Sequence, residues 1–295
     1  MDGILLVDKP AGLTSHDVVR RIRRTSGERR IGHTGTLDPR ATGLLPLVLG
    51  RATRLASRLT AHRKTYEAVI RLGFATDTDD ADGQPLGDPR PVTANATAVS
   101  DAIGAFVGAI DQVPPRHSAK KVGGERAYAL ARRDEDVRLS PVPVTVFEIE
   151  TLGCTTDQVR LRITASSGFY VRALARDLGV ALGCGGHLAS LRRTVIGRFH
   201  VAMALALDEA ERDGAAVADR LVTMADALAD CPAVRLTDRG LRRALHGNAV
   251  GAQDLEAGAL PPPSAGDVRL LGPAGELVAI AHSRGGALHP VLVVG

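Results

Sequence analysis

Aromatic residues are scarce in this chain, at 3% of 295 residues, and tryptophan is absent. Any core must therefore be aliphatic. Hydrophobic residues at 44% are enough to build one and too many for a disordered chain. Cysteine is nearly as rare. Cys154, Cys184 and Cys231 lie far apart and form no CxxC pair, which argues against a disulfide framework and a zinc site. The nine histidines show no HxH or HExxH spacing, so no metal is expected. His187, His200, His246, His282 and His289 read as surface or hydrogen-bonded core residues. Neither a GxxxxGK loop nor a GxGxxG turn is present, which leaves no cofactor indicated. No run approaches the ~18 uninterrupted apolar residues of a membrane span. The opening MDGILLVDKP is too short, and lacks the basic leader, for a signal peptide. The expectation is a cytoplasmic protein without membrane contact, monomeric by default.

What is present is unevenly spread. Residues 1–64 carry 13 Lys/Arg against 5 Asp/Glu, whereas the rest of the chain carries 24 against 28. Concentrated positive charge suits a polyanion-binding face, although Arg20, Arg21, Arg23 and Arg24 would equally suit a solvated helix. The length allows about two domains.

Gly3–Val7 reads as a short buried strand closed by the turn Asp8-Lys9-Pro10-Ala11-Gly12. Thr14 or Ser15 can cap a helix with Val18, Val19 and Ile22 on one face and Gly27 as its stop. Gly32 to Gly50 reads as loop-rich, followed by a basic amphipathic helix with Leu55 and Leu59 inward. Thr65–Phe74 alternates as a strand, and Thr97–Ile110 has helical spacing. Residues 114–143 read as a basic exposed insertion with a short helix over Arg126–Arg133. Val142–Leu152 and Gln158–Thr164 look like paired strands, and Tyr170–Leu182 and Ala215–Ala229 like helices. Beyond Cys231-Pro232, apolar runs at Val268–Leu271, Leu277–Ala281 and Pro290–Val294 predict a small β-rich unit.

Three segments can carry chemistry. The first is Gly32-His33-Thr34-Gly35-Thr36-Leu37-Asp38-Pro39, where small residues let a ligand approach while one His and one Asp project. Asp38 before Pro39 also fits a helix N-cap, but Gly43 and Pro46 leave little helix to support. The second is Ser166–Arg172, in which Tyr170 equally fits a core-edge tyrosine and Arg172 a surface arginine. The third is Lys64-Thr65-Tyr66 with the acidic run Thr76–Gly83. Placing Gly83 at the sixth position of a calcium loop puts Pro89 where a bidentate Glu is required, so calcium is rejected in favour of a solvated acidic loop.

Together these strings closely resemble the bacterial tRNA pseudouridine-55 synthases of the TruB family. The matching stretches are Asp8-Lys9-Pro10 with Gly12, Thr14 and Ser15; GHTGTLDPRATGLLP at 32–46; KTYEAVIRLG at 64–73; TDTDDADG at 76–83; SAKKVGGERAYALAR at 118–132; SGFYVRALARDLG at 167–179; and HLASLRRTVIGRF at 187–199. The resemblance implies an α+β pseudouridine synthase fold, with a mixed, largely antiparallel central sheet flanked by helices over residues 1–230. It implies a PUA-like RNA-binding domain over 231–295. It makes Asp38 the catalytic aspartate, Arg172 its partner, Tyr66 the residue stacking on the target base, Tyr170 and Leu191 the pocket lining, and His33 a contact to the tRNA T-arm. The basic insertion matches an element that closes over RNA. Phe169 and Val195 depart from common family residues, Thr and Arg, and the second change weakens one phosphate contact. Two competing readings are a non-catalytic tRNA-folding chaperone and a guide-RNA-dependent subunit.

Overall fold

A computed structural model describes residues 1–116, 121–122, 125–126 and 139–295. The expected helix over Arg126–Arg133 and most of the insertion lie outside the described residues. Sixteen strands are described. They are β1 (Gly3–Lys9), β2 (Ile31–His33), β3 (Thr42–Leu49), β4 (Lys64–Leu72), β5 (Gly108–Gln112), β6 (Lys121–Val122), β7 (Glu125–Arg126) and β8 (Val142–Cys154), followed by β9 (Gln158–Ala165), β10 (Gly186–Ile196), β11 (Phe199–His200), β12 (Leu205–Ala206), β13 (Ala233–Arg235), β14 (Asp267–Leu271), β15 (Leu277–Arg284) and β16 (Ala287–Val293).

The central sheet runs β12-β1-β3-β10-β4-β9-β8-β5, with β2 added to β3 and β11 to β10. Only β1–β12 and β3–β10 are parallel in it, so the sheet is mixed and largely antiparallel. A second sheet, β13-β14-β15-β16, forms near the C-terminus, and β6 and β7 make a separate two-stranded pair. The fold is α+β, as expected.

The first helix, Ser15–Ser26, begins as its sequence suggests. Asp17 N–H donates to Thr14 Oγ1 at 3.1 Å, and Thr14 N–H donates to Asp17 Oδ2 at 2.9 Å, a reciprocal capping box. Gly27 closes it in the left-handed conformation, φ 69°. Val18, Val19 and Ile22 pack with Leu45, Leu47 and Leu49 on one face of β3, while Leu44 and Val48 pack on the other with Ile4 and Leu6. A strand buried on both faces shows no polar alternation, which is why 42–49 reads as loop in the sequence and is a strand in the structure. Pro46 is tolerated because β10 pairs with Thr42 and Gly43, and β2 pairs with Leu47 to Leu49, so Pro46 falls in the gap between them.

Other expectations need correction. The helix expected over Thr97–Ile110 ends at Gly104, and Ile110 lies in strand β5 beyond Gly108, φ 106°. Ala215–Ala229 is broken into Gly214–Asp219 and Met224–Ala227, because Val222 pairs with Ile4 and Thr223 caps a new turn. The C-terminal unit contains an unforeseen helix, Asp238–Leu245. It also shares a core with the central sheet: Leu277, Ile280 and Val294 pack with Leu55, Leu59, Ile196 and Phe199. Arg58 reinforces the joint through Asp267, Nε to Oδ2 at 2.7 Å. No helix among the described residues is long and apolar enough to cross a membrane.

At Gly43 the β3 backbone lies hard against that of β10. The glycine has φ 99°, and a Cβ there would strike the backbone of Arg193 on β10. Gly43→Ala should therefore lower stability by about 2 kcal/mol or more, by strain and by displacing β10. Urea unfolding of the variant against wild type checks this; an unchanged midpoint would refute it.

Candidate active site

The chain between β2 and β3, residues 34–41, is a loop whose backbone is pinned almost residue by residue. Arg193 donates from Nη2 to Gly35 O at 2.9 Å and from Nη1 to Thr36 O at 3.3 Å. Leu37 N–H donates to Ser15 Oγ at 2.8 Å, and Ser15 Oγ donates to Leu37 O at 3.1 Å. Pro39 O accepts from Gly12 N–H at 2.9 Å and from Lys9 Nζ at 3.0 Å. No helix follows Asp38, so the N-cap reading of Asp38-Pro39 is excluded. The loop's function is to hold a side chain out over a cavity.

That side chain is Asp38. The cavity is about 440 Å³ and is lined by His33, Asp38, Tyr66, Tyr170, Arg172 and Leu191 together with Lys64 and Arg193. Three stretches distant in sequence thus meet at one place: the β2–β3 loop, the start of β4, and the turn into the helix Val171–Ala181. Leu191 joins them from the middle of β10.

Arg172, the second residue of that helix, is only 6% exposed, which overturns its reading as a surface arginine. It grips Asp38 with two nitrogens, Nε to Oδ2 at 3.0 Å and Nη2 to Oδ1 at 3.2 Å. A planar guanidinium suits this bidentate grip as an ammonium does not. Nη1 reaches Thr78 O at 3.3 Å and Asp80 Oδ2 at 3.5 Å. The acidic run 76–83 is therefore not a solvated loop. Asp80 braces Arg172, and Asp79, in the left-handed region at φ 61°, accepts from Arg176 Nη1 at 3.1 Å. Tyr170 caps the helix with its backbone held by Gln112, whose amide accepts from Tyr170 N–H at 2.8 Å and donates to Tyr170 O at 3.1 Å.

The side chain of Asp38 is 39% exposed, and that exposure opens into the cavity. Burial pushes its carboxyl above the usual aspartate value; Arg172 opposes the rise, Asp80 adds to it, and Lys9 opposes it. Tyr66 is buried against the cavity; burial raises its phenol and the nearby Arg193 opposes that rise. Among the described residues no group of three His, Cys, Asp or Glu is placed to hold a metal.

With this geometry in view, the relatives are informative. Residues 23–171 match the N-terminal domain of the TruB family of pseudouridylate synthases, and residues 172–230 match the C-terminal domain of tRNA pseudouridylate synthase B. The chain belongs to the TruB family. It is 45% identical over 302 residues to tRNA pseudouridine synthase B of Thermobifida fusca strain YX, covering 99% of this chain and 98% of that one. It is 42% identical over 296 residues to the Dechloromonas aromatica protein of the same name, covering 100% and 96%. A chain from the crystal structure of a Cbf5-Nop10-Gar1 complex superposes with a TM-score of 0.74 at 26% identity, covering 99% of this chain and 85% of that one. Family membership makes the chain an isomerase that forms pseudouridine.

Several residues around the TruB site escaped the sequence reading. Lys9 and Arg193 sit in stretches shared with the family but show no local sign of a role, Asp80 lies in a run that reads as solvated, and Gln112 carries no signal. Lys9, with no exposed surface, also donates from Nζ to Pro10 O at 2.9 Å. Burial pulls its ammonium down to about 8, against the pull of Asp38 and with help from Arg193. Lys64 falls to about 8 through burial and then Arg193.

Each lysine loses its proton more readily folded than unfolded. The unfolded chain thus binds more protons between pH 8 and 10.5, and these two groups make stability rise with pH across that window. Lys9→Met should remove a substantial part of that rise. Urea unfolding of both proteins through the same window reads the difference, and parallel curves would contradict it.

Proposed function

We propose that this TruB-family enzyme works in the cytoplasm and isomerises the uridine at position 55 of the tRNA T-loop, with Asp38 as nucleophile. The carrying observation is the Asp38 carboxylate, open to the cavity and gripped by Arg172 at 3.0 and 3.2 Å. The reaction breaks the N1–C1′ bond, turns the uracil and rejoins it through C5, with no redox change and no group donor. A uridine folded into a T-loop is out of reach, so it must leave its stack and enter the cavity. There Tyr66 offers a stacking face, typically worth ~1–3 kcal/mol per base. Tyr170 and Leu191 form the walls, and His33 meets the T-arm at the rim.

Attack, whether at C1′ or at C6 of the uracil, requires an ionised carboxylate, and a covalent intermediate divides one difficult step into easier ones. Arg172 supports this by favouring the charged form against the burial that disfavours it. Residues 1–230 take the catalytic role in this reading, and residues 231–295, with the basic helix Asp238–Leu245, add an RNA-contacting surface.

A tRNA-folding chaperone on the same scaffold would bind as well but would not need the carboxylate. Asp38→Asn should keep tRNA affinity and lose conversion, measured by filter binding and by mapping pseudouridine in a tRNA transcript; wild-type turnover in the variant would remove Asp38 from the chemistry. Activity of the wild type on bare transcript also separates it from a guide-dependent subunit.

Tyr66→Leu should leave tRNA affinity within a few-fold and lower the single-turnover rate by about 100-fold. Equal losses in affinity and rate would make Tyr66 a docking residue only.

A further inference from the structure

Arg193 is the largest fully buried side chain that the proposed chemistry leaves without a role, with 1% of its surface exposed. It forms no ion pair among the described residues. A buried guanidinium with neutral partners only is costly unless its donors are well satisfied. Here they are. Nε donates to Leu44 O at 2.8 Å, Nη1 to Thr36 O at 3.3 Å and Nη2 to Gly35 O at 2.9 Å, and the guanidinium lies close enough to Tyr66 to oppose the rise of its phenol.

These partners have a pattern. Gly35 and Thr36 precede Asp38 by three and two residues, while Leu44 lies beyond it in β3, so one side chain spans both arms of the nucleophile loop. Strand register explains how. Arg193 on β10 stands opposite Gly43 of β3 on one side and opposite Tyr66 of β4 on the other. Because β10 is the strand between the loop and the tyrosine, a residue here touches both. Gly43 leaves no space between the β3 and β10 backbones, which fixes the root of the side chain.

We infer that Arg193 is the positioning residue that sets Asp38 and Tyr66 relative to one another, by binding both arms of the loop with a guanidinium rooted directly opposite Tyr66. This rests on the reading of Asp38 as nucleophile and Tyr66 as the base-stacking residue. Lysine cannot substitute, because a point-like ammonium lacks the planar fork that reaches several acceptors in fixed directions. Arg193 contacts neither the bond that breaks nor the bond that forms. Its effect is on geometry, and a misplacement of about 1 Å at a reacting group can cost about 100-fold in rate.

Arg193→Lys keeps the charge and removes the fork; Arg193→Met removes both. Both variants should unfold cooperatively in urea, bind tRNA within a few-fold of wild type, and convert it about 100-fold more slowly in single turnover. The chain has three tyrosines and no tryptophan, so phenol ionisation is readable in near-ultraviolet absorbance, with Tyr66→Phe marking the Tyr66 step. That step should move to higher pH in Arg193→Met, where the opposing cation is gone, and less so in Arg193→Lys. Rates near wild type in both folded variants, or an unmoved Tyr66 step in Arg193→Met, would overturn the assignment. Loss of folding in both would place Arg193 in the scaffold and overturn it equally. Asp38→Asn run alongside separates the two levels: if that variant turns over, the nucleophile reading itself has failed, whatever Arg193 does.

Discussion

The site depends on backbone carbonyls bound by buried cations. A loop that projects a carboxylate over a cavity exposes polar backbone with no helix or ladder to satisfy it, and buried carbonyls must find donors. Lys9 and Arg193 supply them at Pro39, Gly35 and Thr36. Both are almost wholly out of solvent. The arrangement gives a short, glycine-containing segment one conformation, so the Asp38 carboxylate is held in place before any substrate arrives. It also adds positive charge beneath a carboxylate that burial would otherwise push toward its neutral form.

A second tier holds the arginine that grips Asp38. Asp80 and Thr78 O fix the guanidinium of Arg172 from below, Gln112 fixes the start of its helix, and Arg176, one turn on, ties the same acidic loop to Val113 O at 2.9 Å. Asp38 and Arg172 thus draw most of their support from different elements, one from β1, β10 and the first helix, the other from β5 and the acidic loop. Besides the Asp38–Arg172 pair they meet where Arg40 Nε reaches Asp82 Oδ1 at 2.8 Å, and where Leu188 of β10 donates to Asp79 O and accepts from Ala81 N–H, each at 3.0 Å. The two halves of the site are therefore braced against each other as well as held from their own sides.

Much of this was legible in the residues. The cap at Thr14, the strand at 64–72 and the inward face of the helix after Tyr170 follow directly from local pattern. All six residues named as site candidates line one cavity. What was not legible depends on tertiary packing. β3 hid because a strand buried on both faces loses its alternation, and a proline inside it suggested a turn. β5 hid behind a helical spacing that continues past Gly104. Asp79 and Asp80 looked solvated because nothing local shows that two arginines from a helix nearly a hundred positions away will cover them. Lys9 and Arg193 gave no sign for the same reason: burial of a cation is a property of the assembled sheet.

The C-terminal sheet is joined to the catalytic sheet by a common apolar interior, with Leu277, Ile280 and Val294 seated among Leu55, Leu59 and Phe199. A seam of that kind does not flex as a polar linker does. Whatever RNA reaches both parts meets two surfaces at a set spacing, like the jaws of a fixed-gap gauge. Accommodation then falls to the nucleic acid, which must bend or unstack to suit the protein.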